Sequence, residues 1–181
     1  HYYILLDLIN LFPKENLINY VEIGSYAGAS ACLAAQRPNT NIFCIDIGHP
    51  VSPDVCLKNI QKFNILKNKV VHITGNSHAS STFQKLKENL KQGIDLLYID
   101  GDHSKEAVHL DFNLYSPLVN KNGFIIFDDY NDPDCPGVKI AVNEIVNATT
   151  KWEVIGCLSN CYNARPVTIT EGNCFVLKKY E

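Results

Sequence analysis

Two stretches decide the fold of this chain: Ile94-Asp-Leu-Leu-Tyr-Ile-Asp-Gly-Asp-His103 and Gly123-Phe-Ile-Ile-Phe-Asp-Asp-Tyr130. Each is a short apolar run with the composition of a buried β-strand, and each ends abruptly in carboxylates. The segment between them has the length of a helix, which returns the chain to the starting edge of the sheet and makes the two strands parallel. In an open α/β sheet, ligands bind at the carboxyl ends of the strands. We therefore expect both acidic endings at one ligand-binding edge.

Strand-like and helix-like segments alternate along most of the chain. The alternation predicts an α/β fold with a doubly wound, mostly parallel, seven-stranded sheet that carries helices on both faces. The last two strands have no helix between them, so the C-terminal strand is expected to run antiparallel to its neighbour. The predicted strands cover residues 20–23, 41–47, 70–74, 94–99, 124–127, 152–156 and 174–178, and the predicted helices 27–36, 53–63, 77–90, 105–114 and 138–146.

Length and composition fit one globular domain. The chain has 181 residues, of which 46% are hydrophobic and 19% charged, enough for a full core. We predict a single domain over 1–181, with a lead-in helix at 1–13, a ligand-binding core at 18–145 and a closing hairpin at 150–180. A net charge of −3 with scattered lysines disfavours nucleic acid as a partner. No apolar run has the length of a membrane span, so no membrane partner is expected.

The seven cysteines lie mostly inside apolar patterns, as small buried thiols do. Cys157 and Cys161 lie on a predicted loop with a spacing that suits a disulfide and matches no four-ligand zinc motif. A reducing, cytoplasmic location is the resulting prediction. The chain contains no methionine and begins at His1, which favours a part of a larger, multidomain chain. A homo-oligomer is the alternative assembly that we expect.

The stretch Glu22-Ile-Gly-Ser-Tyr-Ala-Gly28-Ala-Ser30 joins the first predicted strand to the first core helix. Gly24 and Gly28 let the backbone turn tightly and approach a ligand, and the following helix start offers free N–H groups. A pocket for an anionic or carboxylate-bearing ligand is the functional interpretation; glycines that serve only the turn are the alternative. The spacing differs from the Gly-x-Gly-x-x-Gly of dinucleotide binders.

Polar residues also follow the second and third predicted strands. Asp46 ends the second strand, where a carboxylate can accept hydrogen bonds from both hydroxyls of a ribose. Gly75-Asn-Ser77 ends the third strand, where small polar groups suit an adenine edge. Ser77 equally suits the N-cap of the helix that follows. With the glycine turn, these residues predict a ligand that contains a nucleoside.

Three acids, Asp100, Asp128 and Asp129, close the fourth and fifth predicted strands. Carboxylates pressed together in a partly dry cleft repel each other, so a proton or a hard cation such as Mg²⁺ is expected among them. The alternative is that the paired Asp128 and Asp129 only start a turn.

These residues together resemble the class I S-adenosylmethionine-dependent methyltransferases, which have a Rossmann-like fold. More narrowly, the chain is similar to the metal-dependent O-methyltransferases of the catechol type. Residues 99–108 and 127–130 resemble most closely the branch of macrocin and rhamnosyl O-methyltransferases with their cephalosporin-hydroxylase relatives. The resemblance covers roughly residues 18–145 and rests on the set of motifs rather than on any one of them.

The resemblance implies an enzyme that transfers a methyl group to a hydroxyl of a small molecule or sugar. It places Ser30 near the carboxylate of the cofactor, Asp46 at the ribose, and Ser77 with His78 beside the adenine. It assigns Mg²⁺ to Asp100, Asp128 and Asp129. The cofactor-binding residues that it implies are Glu22, Gly24, Ser25, Tyr26, Gly28, Ser30, Asp46, Ile47, Gly75, Asn76, Ser77, His78 and Asp100.

Catalysis by such an enzyme needs a base for the acceptor hydroxyl. His103 stands where the catechol-type enzymes place a basic residue, and Asp102 stands where the sugar-modifying branch has an acid, so both are candidates beside Asp100. Residues 131–137 and the loop 158–173 are the predicted substrate-facing segments, and residues 131–137 also suit a plain connection.

Two other function classes fit parts of the pattern. A nicotinamide-dependent oxidoreductase has a similar topology, but its glycine signature is absent and it has no use for the acids after the fourth and fifth strands. A nucleoside- or sugar-binding module derived from a methyltransferase is the non-enzymatic alternative.

Overall fold

The structure is a computed structural model that describes residues 2–158 and 173–180. Its helices are α1 (Tyr2–Ile9), α2 (Ala29–Ala34), α3 (Pro53–Phe63), α4 (Ser80–Asn89), α5 (Lys105–Tyr115) and α6 (Pro136–Ala148). Its strands are β1 (Ile18–Ile23), β2 (Thr40–Asp46), β3 (Val70–Thr74), β4 (Ile94–Ile99), β5 (Val119–Phe127), β6 (Trp152–Leu158) and β7 (Cys174–Lys179).

The seven strands form one sheet in the order β3-β2-β1-β4-β5-β7-β6. Strands β1 to β5 pair parallel with one another, whereas β7 is antiparallel to both β5 and β6. The chain order reverses direction at β1, so the crevice at the carboxyl ends of β1 and β4 is the expected ligand site of such a sheet. The predicted fold class is confirmed, including the antiparallel C-terminal strand.

Side chains that alternate along the strands build a core on each face of the sheet. In β1, for example, Val21 and Ile23 point to one face and Ile18 and Tyr20 to the other. The first face is covered by α4, α5 and α6, and the second by α1, α2 and α3. The sheet is therefore doubly wound, and α1 covers one of its faces.

The closing hairpin packs against α5 through Trp152. The centroid of its indole lies 5.9 Å from that of the Phe112 ring. Lys179, on the other strand of the hairpin, has its Nζ 5.7 Å from the indole centroid. The contact with Phe112 fastens β6 to α5 in addition to its pairing with β7.

Several local predictions need correction. Ser77 is not the N-cap of α4, because the helix begins at Ser80 with Ala79 as its cap. Residues 76–79 instead form a turn, in which the Asn76 carbonyl accepts from Ala79 N and the Asn76 side chain accepts from His78 N. Cys157 is buried within β6 rather than on a loop.

Two other expectations concern the predicted loop that contains Cys161 and the membrane spans. Cys161, and the predicted loop 158–173 apart from its two ends, lie outside the described residues. In the part of the chain that the structure describes, no helix combines the length and the apolar character that a membrane crossing requires.

Candidate active site

The glycine turn after β1 presses directly against the end of β4. Gly24 has φ +85°, and a Cβ built on it would lie 1.8 Å from the carbonyl oxygen of Asp100. A side chain at this position would collide with backbone that has no room to move, so only glycine fits. The turn continues through Tyr26, which also has a positive φ of 44° and whose side chain is 58% exposed.

Asp46 fastens this turn to the end of β2. Its Oδ2 accepts a hydrogen bond of 2.8 Å from the backbone N–H of Tyr26, and its Oδ1 accepts one of 2.7 Å from Gly48 N. Sequence reasoning assigned Asp46 to a ligand and missed this role, because a contact across twenty residues carries no local signal. Each oxygen retains a second lone pair for a ligand.

Two adjoining cavities lie along the carboxyl ends of β1 to β5. The wider one has a volume of about 560 Å³ and the narrower one about 320 Å³, and Gly24, Tyr26 and Asp100 line both. The other predicted site residues in the wider cavity are Asp46, Ile47, Gly75, Asn76, Ser77, His78, Asp102 and His103. Those in the narrower cavity are Ser25, Ser30, Asp128 and Asp129. The structure thus gathers nearly all of the predicted residues into one cleft.

Glu22 and Gly28 are the exceptions, because neither lines one of these two cavities. Glu22 is fully buried, its Oε1 accepts a hydrogen bond from Ser30 Oγ, and burial raises its pKa to about 8. A Cβ on Gly28 would lie 3.0 Å from Cys56 Sγ and 3.1 Å from Ile60 Cγ1, so Gly28 allows α2 to pack on α3. Both residues support the cleft from behind.

The acids after β4 and β5 differ in their surroundings. Asp128 is buried, and its Oδ2 accepts a 2.6 Å hydrogen bond from the hydroxyl of Tyr98 while its Oδ1 accepts from Cys174 Sγ. The pKa of Asp100 is raised to about 6, mainly by burial; the neighbouring Asp128 and Asp129 add to the rise, and the hydrogen bond from His103 opposes it. The cleft therefore concentrates negative charge that a cation would neutralise.

His103 lies between two of these acids. Its Nε2 is 3.4 Å from Asp100 Oδ1 and 3.4 Å from Asp129 Oδ2, and its hydrogen bond to Asp100 raises its pKa. Asp102, the other candidate base, is exposed, and its Oδ1 accepts a 2.8 Å hydrogen bond from Ser104 N that lowers its pKa. This arrangement favours His103 as the group that exchanges a proton within the cleft.

Asp111 supports a residue of the cleft, and sequence reasoning missed it. It lies on α5 with only 1% of its surface exposed, and its Oδ1 is 3.1 Å from Nε2 of His78, which lines the wider cavity. Burial raises the pKa of Asp111, and His78 opposes that rise. An acid between the core residues Val108 and Tyr115 on the helix was the signal that could have revealed it.

The family match agrees with this geometry. The sequence model of a protein family described as a methyltransferase domain matches residues 21–130, which run from β1 to the acids after β5. An uncharacterized protein of Acanthamoeba polyphaga mimivirus, R132, is 41% identical over 192 residues, covering 98% of this chain and 86% of its own length. The chain belongs to this family of methyltransferase domains.

Solved structures share the fold. An O-methyltransferase from Bacillus cereus in complex with S-adenosylhomocysteine (SAH) is 19% identical with a TM-score of 0.72, covering 99% of this chain and 81% of its own. TomG from Streptomyces achromogenes, an O-methyltransferase in complex with SAM, is 14% identical with a TM-score of 0.71, over 99% and 78%. CalS11, a TDP-rhamnose 3'-O-methyltransferase, is 16% identical with a TM-score of 0.69, over 98% and 76%.

Proposed function

We propose that this chain is an S-adenosylmethionine-dependent O-methyltransferase that transfers a methyl group to a hydroxyl of a small molecule or sugar, assisted by a divalent cation. The observation that carries the proposal is the continuous cleft in which the glycine turn and Asp46 adjoin the acids after β4 and β5. The SAH and SAM held by two of the similar structures support the cofactor assignment.

In this proposal the cofactor lies across both cavities. Asp46 accepts the ribose hydroxyls with the lone pairs that its two backbone hydrogen bonds leave over. Residues 75–78 surround the adenine, with His78 held by Asp111. Ser25 and Ser30, which line the narrower cavity, bind the methionine end. The turn at Gly24 lets the backbone come close to the cofactor.

Three carboxylates of one cavity support the proposed cation, although the three together are not a group of described residues whose donor atoms all lie within 4.8 Å of one another. Asp100, Asp128 and Asp129 line the narrower cavity together, and carboxylate oxygens are the ligands that Mg²⁺ prefers. A cation bound there would orient two neighbouring hydroxyls of the acceptor and lower the pKa of one. Burial is the main cause of the raised pKa of Asp100, and repulsion from Asp128 and Asp129 adds to it. This repulsion between carboxylates supports the proposed cation.

His103 is the proposed general base. In its neutral form it takes the proton of the acceptor hydroxyl at Nε2, the nitrogen that faces Asp100 and Asp129. These carboxylates then stabilise the imidazolium. The acceptor oxygen forms its bond to the methyl carbon while the carbon–sulfur bond breaks, which leaves SAH and a methyl ether.

Calorimetric titration of the purified protein tests the cofactor assignment. SAH and NADH are titrated separately, each with and without Mg²⁺, and we expect SAH alone to bind. Binding of NADH instead of SAH would support an oxidoreductase. If neither binds, the methyltransferase proposal is overturned in favour of a non-enzymatic binding module that keeps the methyltransferase fold.

The acceptor class is tested by SAH formation from SAM with vicinal diols, including small catechols and nucleotide sugars. Stimulation by Mg²⁺ is expected with an acceptor whose two hydroxyls are adjacent. A rate that chelation of divalent cations leaves unchanged would contradict the assistance by a cation.

A further inference from the structure

Beside the three acids, the structure brings together a cluster of a different chemical type. Sγ of Cys135 lies 3.1 Å from Nδ1 of His103, and Oδ2 of Asp129 lies 3.4 Å from Nε2 of the same imidazole. The three side chains offer donor atoms that all lie within 4.8 Å of one another. In the part of the chain that the structure describes, this is the one group of three or more His, Cys, Asp or Glu side chains whose donor atoms lie this close together.

Packing fixes the cluster in place. A Cβ on Gly137 would lie 2.5 Å from the carbonyl oxygen of His103 and 2.7 Å from Lys105 N, so the start of α6 fits tightly against the segment that carries His103. Cys135 is further held by a hydrogen bond from its N–H to the carbonyl of Asp132, whose own N–H donates to the carbonyl of Asp129. The residues between Asp129 and Cys135 are thus a structured connection that orients the thiol.

The donor set is wrong for Mg²⁺ and right for a softer ion. Mg²⁺ prefers oxygen ligands, whereas imidazole and thiolate together with one carboxylate suit Zn²⁺. Three protein ligands leave the fourth tetrahedral position open, as in zinc sites that exchange a ligand. We propose that His103, Asp129 and Cys135 form a Zn²⁺ site beside the proposed Mg²⁺ site. On binding, Cys135 becomes the thiolate and its proton passes to solvent.

The two sites share residues, which gives the zinc site a consequence. Asp129 is a proposed Mg²⁺ ligand and His103 is the proposed base, so Zn²⁺ at this site removes both from methyl transfer. Zinc is therefore expected to inhibit the Mg²⁺-assisted reaction reversibly. This consequence rests on the proposed function, whereas zinc binding itself does not.

Metal binding is measured on the whole chain after removal of metals, by competition of Zn²⁺ with a chromophoric chelator and by the absorption of bound Co²⁺. We expect one Zn²⁺ per chain and a thiolate-to-cobalt charge-transfer band. The variants Cys135→Ser and His103→Gln should each weaken Zn²⁺ binding by about tenfold or more, because even the loss of a residue that only holds a metal ligand in place has an effect of that size. Cys135→Ser should abolish the charge-transfer band. Cys32→Ala, which removes a buried thiol from α2, is the matched control and should bind Zn²⁺ normally.

Three results would overturn the inference: no stoichiometric Zn²⁺ binding, a charge-transfer band that survives in Cys135→Ser, or displacement of Zn²⁺ by an equal concentration of Mg²⁺. SAH titration of the same preparation separates this test from that of the proposed function. If the protein binds SAH but does not bind Zn²⁺, only the zinc site is overturned. If it binds Zn²⁺ but does not bind SAH, only the methyltransferase proposal is overturned. For each variant, the rate of methyl transfer with Zn²⁺ is compared with the rate without it. Inhibition by Zn²⁺ that persists in Cys135→Ser would show that zinc inhibits at another site.

Discussion

In the proposed function, the single carboxylate of Asp46 serves both the fold and the ligand. Its two backbone hydrogen bonds hold the turn that carries Tyr26 and the segment at Gly48, and the same residue lines the cavity proposed for the ribose. Loss of the carboxylate therefore affects the ligand and the shape of its cavity together.

Asp46→Ala is expected to weaken SAH binding tenfold or more, since each hydrogen bond to a charged group contributes about 1.5–3 kcal/mol. Calorimetric titration measures the change. Asp7→Ala, which removes an exposed acid from α1, is the control and should leave the affinity unchanged. Equal SAH affinities in the two variants would remove Asp46 from the cofactor site.

Asp128 combines a proposed metal-binding role with a buried hydrogen bond, and two variants separate them. Asp128→Ala should abolish stimulation by Mg²⁺ and leave SAH affinity largely intact. Tyr98→Phe keeps the carboxylate but removes its 2.6 Å donor, so it should lower the free energy of unfolding by about 1–3 kcal/mol and retain the stimulation. Urea denaturation and initial rates with and without Mg²⁺ measure both effects. Equal Mg²⁺ stimulation in Asp128→Ala and the wild type would show that Asp128 is not a ligand.

Glu22 makes stability depend on pH. Its pKa is about 8 in the folded protein and about 4.5 when unfolded, so the folded state holds a proton that the unfolded state has lost. Stability from this group is complete below about 4.5 and is lost as pH rises through about 8. Glu22→Gln, which cannot ionise, should show a smaller decrease in unfolding free energy across this range. The same pH dependence in both proteins, followed by urea denaturation, would show that Glu22 ionises normally.

At the scale of secondary-structure elements, the site depends on how closely the turn after β1 approaches the end of β4. Two glycines at this junction differ sharply in their surroundings. A Cβ on Gly24 would lie 1.8 Å from the backbone of Asp100, whereas one on Gly101 would lie 3.1 Å from the side-chain Cγ2 of Ile23. Only the first contact forces strands apart.

Gly24→Ala is accordingly expected to destabilise the protein by about 4 kcal/mol or more, the range in which strain at a special backbone position becomes severe. Gly101→Ala is the matched control, and we expect it to fold, because the Ile23 side chain can yield by a few tenths of an ångström. Circular dichroism during urea denaturation distinguishes the two. Similar stability of both variants would contradict the close contact between the turn after β1 and the end of β4.

At the scale of the whole molecule, the sheet depends on a strand that comes late in the sequence. Strand β7 lies between β5 and β6, and it buries Phe175, Val176 and Leu177. Burial of each such side chain contributes about 1.5–3 kcal/mol. Without β7, β5 would present an open apolar edge, and β6 would have no partner in the sheet.

Deletion of residues 173–181 should therefore give an aggregating protein, although every predicted site residue remains. Deletion of residues 180–181 alone keeps β7 and is the control. Solubility and size-exclusion chromatography compare the two products. A monomeric, SAH-binding product of the longer deletion would show that the core folds without β7.

The fold was largely predictable because buried apolar runs and their abrupt polar endings are local signals. The end of β4 at Ile99 follows this rule, whereas the start of β5 at Val119 was missed because the exposed Lys121 and Asn122 interrupt its apolar pattern. The structure brings together most of the predicted cleft residues, but their ligand-binding roles stay predictions. The contact of Cys135 with His103 was unpredictable, since it joins residues 32 positions apart through the packing of α6.

Trp152, which fastens the hairpin to Phe112, is the single tryptophan of the chain. It lines neither cavity of the cleft. Its fluorescence is therefore a built-in optical reporter of hairpin docking, free of any background from other indoles. A change in emission on addition of SAH would mean that events in the cleft are transmitted across the sheet to its far edge, and a constant emission would mean that the two ends of the molecule behave independently.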